Sequence, residues 1–201
     1  MGGMVERLAP EKWESEYGAA FRAVFQSTDP FGAPLTERMT WRGLLYPVPY
    51  LLEPEQFDAV VAAARATGDD RICISVTEEF DGLSGARAEH CLFDYWEGAE
   101  YQRLGAVGVL ENAIYSPRGQ WGLMMSHEQH AVAGGPRIFM DELASRFPSF
   151  EASLEEFLQS WAEYRDQRNA EVSWLETLLT HLYGRESAAA AMTKFARMSP
   201  P

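Results

Sequence analysis

The residues best suited to chemistry lie in one stretch, Leu110 to Gly135, LENAIYSPRGQWGLMMSHEQHAVAGG, which holds two of the four histidines beside a carboxylate. His127-Glu128-Gln129-His130 has the residue types of a metal-dependent hydrolase: imidazoles to hold an ion and a carboxylate to take a proton from bound water. The spacing is not that of the helical zinc motif, in which histidines four apart share one face. Here they are three apart, and the residues before them alternate as in a strand. On a straight strand the two rings face opposite sides. Only a turn at Glu128-Gln129 brings them together, and a third ligand must come from elsewhere, with His90, Asp94 and Glu111 as candidates. A site built this way makes the chain a metal-assisted hydrolase centred on His127 and His130. The plainer expectation is a polar turn without a bound transition metal, its histidines hydrogen-bonded to backbone or solvent.

Other catalytic patterns are missing from the sequence. It has no phosphate-cradling loop and no dinucleotide fingerprint, and Gly82-Leu83-Ser84-Gly85 lacks the spacing of a nucleophile elbow. Cys73 and Cys91 sit inside apolar runs, where a thiol behaves as a small buried hydrophobe, and their spacing suggests neither zinc nor a redox pair. Glu78-Glu79, Asp94 and Glu111 are acids that could line one sheet face, although nothing in the order of residues brings them together. No cofactor is expected, and the balance leans away from an enzyme.

Charge points to a different kind of function. Seventeen Lys and Arg face thirty Asp and Glu, a formal net charge of −13. Nucleic-acid affinity comes mostly from neutralised phosphates, and the sequence concentrates no basic patch to supply it. An anionic membrane is repelled for the same reason, whereas a basic protein is attracted; solubility is the bland alternative. The leading expectation is therefore an acidic, cytoplasmic protein-binding module. Its plausible form is an inhibitor or immunity-type protein that neutralises a basic partner such as a toxin. Tyr46-Pro47-Val48-Pro49-Tyr50, stiffened by its prolines, offers Tyr46 and Tyr50 as contacts. Glu78 and Glu79 in a loop, with Glu155 and Glu156 on a helix, are the acidic candidates. Trp41, Trp96 and Trp121 are expected to build core. A structural subunit of a larger assembly is a further reading, and it requires a sizeable apolar patch on the C-terminal helices. The first residues lack an apolar signal core, and no run approaches the length of a membrane span.

These residues need a scaffold, and periodicity supplies its outline. A first helix is expected from Pro10 to Gln26, with Trp13, Tyr17, Phe21, Val24 and Phe25 on one face, and a second over Glu53–Thr67 with Gly68 as its C-terminal cap. Met39–Tyr46 reads as a strand. Ile72, Ile74 and Val76 alternate with Cys73, Ser75 and Thr77, the signature of a half-buried strand. A loop over Glu78–Glu89, a strand over His90–Trp96 and a short helix or turn over Glu97–Leu104 follow. Leu110–Ser116 and Gln120–Ser126 flank Pro117-Arg118-Gly119 and form a hairpin. Ala131-Val132-Ala133 adds a short strand and Pro136–Phe147 a helix. Phe150–Tyr183 contains neither Gly nor Pro and is one helix or two. Strands cluster instead of alternating with helices, which gives one α+β domain over 1–201. Its sheet is mainly antiparallel and includes the central hairpin; N-terminal helices and a helical C-terminal segment over about 136–198 flank it.

Overall fold

Both faces of a seven-stranded antiparallel sheet are covered by helices, in the single α+β fold of this computed structural model, which describes residues 5–93 and 111–198. The strands are β1 (Val5–Leu8), β2 (Trp41–Leu45), β3 (Ile72–Val76), β4 (His90–Phe93), β5 (Asn112–Tyr115), β6 (Gly122–Met125) and β7 (Ala131–Gly135), in the spatial order β1-β4-β3-β5-β6-β7-β2. The helices are α1 (Pro10–Glu16), α2 (Gly18–Val24), α3 (Pro54–Ala66), α4 (Arg137–Arg146), α5 (Ser153–Arg168) and α6 (Trp174–Arg197). Among the described residues no helix is long and apolar enough to cross a membrane. The expected continuation of β4 to Trp96, the short helix or turn over 97–104, and Leu110 lie outside the described residues.

Period-2 alternation splits the sheet into two apolar layers. Cys73, Ala113, Tyr115, Met124, Val132 and Leu44 point to the face covered by α1, α2, α5 and α6. Ile72, Ile74, Ile114, Leu123, Met125 and Ala133 point to the other, against α3 and α4. A sheet buried on both faces has strands that are apolar throughout, and β5, β6 and β7 are buried at every position. The C-terminal helices thus divide between the two faces.

The expected hairpin is present. β5 and β6 pair from Asn112↔Met125 to Tyr115↔Gly122, and Gly119 turns the chain at φ +66. Trp121 lies just before β6, fully buried and stacked on Phe139 at 4.6 Å. Its indole N–H donates to Asp69 Oδ2 at 2.7 Å, and Arg118 Nε donates to Asp69 Oδ1 at 2.7 Å. A buried carboxylate needs such partners to stay charged away from water.

The one helix expected near the N-terminus is broken in two, and the open choice over 150–183 resolves to two helices. The 10–26 stripe is two helices, because Tyr17 leaves helical geometry (φ −125) before Gly18, a residue that weakens helix interiors. The break lets Trp13 and Phe21 both reach the sheet, with ring centroids 5.9 Å apart. The 150–183 stretch is also two helices, since Asn169 adopts the left-handed conformation (φ 53) that ends α5. Gly184 (φ 80, ψ 162) interrupts α6 in turn.

The edge strand β2 is protected by side chains. Leu44 N–H donates to Tyr183 Oη at 3.1 Å and Tyr46 N–H to Ser153 Oγ at 3.1 Å, so two helix residues take the place of another strand.

Candidate functional site

Strand register decides which chemically active residues meet. Val76 pairs with Asn112, Asn112 with Met125, Met125 with Ala131 and Ala131 with Leu45. The end of β3, the start of β5, the β6–β7 turn and the end of β2 therefore form one end of the sheet. Onto it project Glu78 and Glu79 after β3, Glu111 before β5, His127 and Glu128 in the turn, and Tyr50 beyond β2.

Direct contacts tie these residues together. Glu111 N–H donates to Glu78 Oε1. Glu111 Oε1 lies 2.6 Å from His127 Nδ1, and Glu128 Oε1 lies 3.7 Å from His127 Nε2, so the imidazole sits between two carboxylates. Tyr50 is 48 % exposed, and its carbonyl accepts from Asn112 Nδ2 at 3.2 Å. Two buried side-chain oxygens at this end, Thr77 Oγ1 and Asn112 Oδ1, have no hydrogen-bond partner among the described residues. Alongside lies a cavity of about 440 Å³ lined by Glu78, Glu79, Phe80, Asp81, Ser84 and Arg87. The result is an acidic rim with an exposed aromatic ring at its side.

The turn needed to bring the two histidines together exists. Gln129 adopts φ 60, Ser126 N–H bonds His130 O at 2.9 Å, and both imidazoles pack against Phe31 at 5.3 Å between ring centroids. Their chemistry nonetheless diverges. His130 is fully buried, with Nε2 3.2 Å from Pro30 O and Nδ1 3.0 Å from Ser126 Oγ. A backbone carbonyl can only accept, so Nε2 carries the proton and Nδ1 accepts from the serine. Burial pushes the pKa of His130 down to about 4. A neutral ring with both nitrogens engaged staples the 29–31 loop and the turn together and offers no lone pair to a metal. Among the described residues no group of three or more His, Cys, Asp or Glu could hold a metal ion. Asp94, one suggested third ligand, lies outside the described residues.

Another suggested ligand, His90, belongs to a buried chain that sequence reading did not reveal. Trp13 Nε1–H donates to Tyr115 Oη at 2.6 Å, and Tyr115 Oη lies 3.1 Å from Ser75 Oγ. Ser75 Oγ lies 2.8 Å from His90 Nδ1, and His90 Nε2 lies 2.9 Å from Gly85 O. The indole only donates and the carbonyl only accepts, so every hydrogen between them is fixed: Trp13 to Tyr115 to Ser75 to His90 to Gly85. Ser75 and His90 have the types of a nucleophile and its base. Ser75 is fully buried, however, and His90 is stacked on Trp13 at 4.1 Å. Burial lowers the His90 pKa and raises those of the Cys73 and Cys91 thiols, so none of these groups is primed as a nucleophile. The chain satisfies polar groups within an apolar layer. Its members come from α1, β3, β4 and β5, and no local motif announces it.

The remaining candidates are more scattered. Tyr46 is half-buried, its ring 5.6 Å from Phe157, and it packs inward while Tyr50 stands out. Glu155 and Glu156 are exposed on the first turn of α5, but Glu155 is paired with Lys194 Nζ at 2.8 Å. The structure thus gathers Tyr50, Glu78, Glu79 and His127 at one sheet end, with Glu111 and Glu128 as further acids there. No family model matches this chain, and no curated protein or solved structure matches it.

Proposed function

We propose that the protein is a cytoplasmic binding module whose acidic sheet end captures a basic protein partner, in the manner of an inhibitor or immunity-type protein that neutralises a cationic toxin. One observation carries this reading. Glu78, Glu111 and Glu128, distant in sequence, meet at one end of the sheet beside an exposed tyrosine. Clustered carboxylates speed the approach of a cationic surface, and an exposed aromatic ring provides an anchor once contact is made. Net charge of −13 strengthens the same field over a longer range.

The Glu111 N–H holds Glu78, and His127 holds Glu111 and Glu128, so part of the ordering cost of association is met before the partner arrives.

Affinity capture from the native host, with bound proteins identified by mass spectrometry, tests the proposal when run beside a Glu79→Lys/Glu128→Lys variant. The expected result is a basic protein recovered by the wild type and lost by the variant. Equal recovery by both would place the interface elsewhere and overturn the assignment of this rim.

A further inference from the structure

His181 stands on α6 against the edge strand β2, and donors face both nitrogens of its ring. Leu35 N–H points at Nε2 from 3.1 Å, and Arg42 Nη1 lies 3.1 Å from Nδ1. A backbone amide and a guanidinium can only donate. A neutral imidazole offers one lone pair to such neighbours; a protonated ring offers none and turns an N–H toward each of them. Arg42 is fixed in its place, since its guanidinium also donates to the carbonyls of Met39 at 2.7 Å, Thr36 at 3.1 Å and His181 at 2.6 Å. On the same turn of α6, Tyr183 Oη accepts from Leu44 N–H at 3.1 Å. This turn therefore ties down the 35–42 segment and covers the outer edge of β2, and it is the last before the break at Gly184. The ring also has room outside its notch. It is half-buried and lines a cavity of about 730 Å³ together with Glu176, Thr177, Thr180 and Arg185.

We propose that His181 is an acid-released latch: protonation swings its ring out of the Leu35–Arg42 notch into the cavity and loosens the turn of α6 that covers β2. The charged and titratable groups around the ring set the direction. Arg42 faces it from β2 and repels a second positive charge, while Glu37, in the segment before β2, favours the charge on Arg42. In the cavity Glu176 attracts a protonated ring and Arg185 opposes it. Tyr183 stays neutral, because burial raises the pKa of its hydroxyl. In the notch, burial and Arg42 hold the pKa of His181 down to about 4, whereas a ring in water titrates near 6.5. Between those values the outward ring binds a proton that the inward ring refuses. The latch is therefore closed above about pH 6.5, and its opening grows as pH falls toward 4. Once open, Leu35 N–H has lost its acceptor and Tyr183 is left to hold the turn on Leu44. Loosening there uncovers the unpaired backbone groups of an edge strand, the template on which a further strand can form.

Amide hydrogen exchange of the full-length chain, read residue by residue by NMR and corrected for the intrinsic pH dependence of exchange, provides the test. Ile114 and Leu123 in the central strands report opening of the whole sheet. Between pH 6.5 and pH 4.5, protection of the Leu35 and Leu44 amides is expected to fall about tenfold or more beyond any decline at those two. In His181→Gln the side chain keeps an acceptor for Leu35 N–H and cannot take up a proton, so this extra decline is expected to vanish. A second readout needs no variant: the ring signal of wild-type His181, followed down to about pH 4, is expected to shift together with the Leu35 amide. A decline at Leu35 and Leu44 that only matches Ile114 and Leu123 would overturn the proposal. So would the same extra decline in His181→Gln, or a ring that takes its proton while the Leu35 amide stays unmoved.

Discussion

His130 shows how a residue that looks catalytic by type becomes structural by placement. Its two ring nitrogens are spent on Pro30 O and Ser126 Oγ, and the ring lies among Phe31, Phe157 and Trp174. A histidine held neutral in the fold ties stability to pH. In the unfolded chain it titrates near 6.5; in the fold, burial lowers its pKa to about 4. Between those values the unfolded state binds more protons, so stability is full above pH 6.5 and declines as pH falls toward 4. This single group should cost roughly 3 kcal/mol across that window. His181, lowered to about 4 by burial and by the nearby Arg42, and His90, lowered by burial, push in the same direction. Urea unfolding at pH 7.5 and pH 5 checks this, and a His130→Gln variant should show a shallower decline. Trp121 belongs to this scale as well. Its ring is fully buried, so Trp121→Ala should lower stability by about 3–5 kcal/mol in the same assay.

At the scale of elements, legibility in the sequence followed the range of the interaction. The stripe of Phe57, Val60 and Val61 and the cap at Gly68 are local signals, and α3 ends where they say it should, with Gly68 at φ +80. The alternation around Trp121, Leu123 and Met125 likewise fixes which face of β6 meets α4. Two features rest on contacts that no window of sequence contains. β1 exists through its pairing with β4, and His127 meets Glu111 only because β5 and β6 stand in register. The acidic rim was therefore legible as a list of residues and illegible as a place. One close approach between elements is open to direct test. A Cβ built on Gly122 would lie 2.6 Å from Val24 Cγ1 and 2.7 Å from Phe25 Cζ, so α2 can press on β6 only where a side chain is missing. Gly122→Ala should destabilise the protein by about 1–3 kcal/mol through overpacking, read as a lower denaturant midpoint with unchanged slope. No loss of stability would show that α2 can shift away without cost.

Across the whole molecule, charge is unevenly distributed. One sheet end gathers Glu78, Glu79, Glu111 and Glu128, whereas the other mixes Arg38 and Arg137 with Glu37, Asp70 and Asp141 around exposed Trp41 and Ile138. Among the described residues, large exposed apolar side chains on the C-terminal helices, the signature expected of a subunit in a larger assembly, reduce to Ile138 at the start of α4. The carboxylates gathered at the first end support the proposed reading of the protein as a binding module. The most direct test of that reading is the association rate with the captured basic partner, measured against ionic strength. Wild type is compared with Glu78→Gln/Glu79→Gln at the sheet end and with Glu155→Gln/Glu156→Gln on α5. If the acidic end steers encounter, association falls steeply as salt rises. The sheet-end variant should then associate about tenfold or more slowly at low salt, with dissociation nearly unchanged. The α5 variant should differ little, since Lys194 already neutralises Glu155. A rate indifferent to salt and to the sheet-end substitutions would contradict the account and leave the excess negative charge with no role beyond keeping the protein in solution.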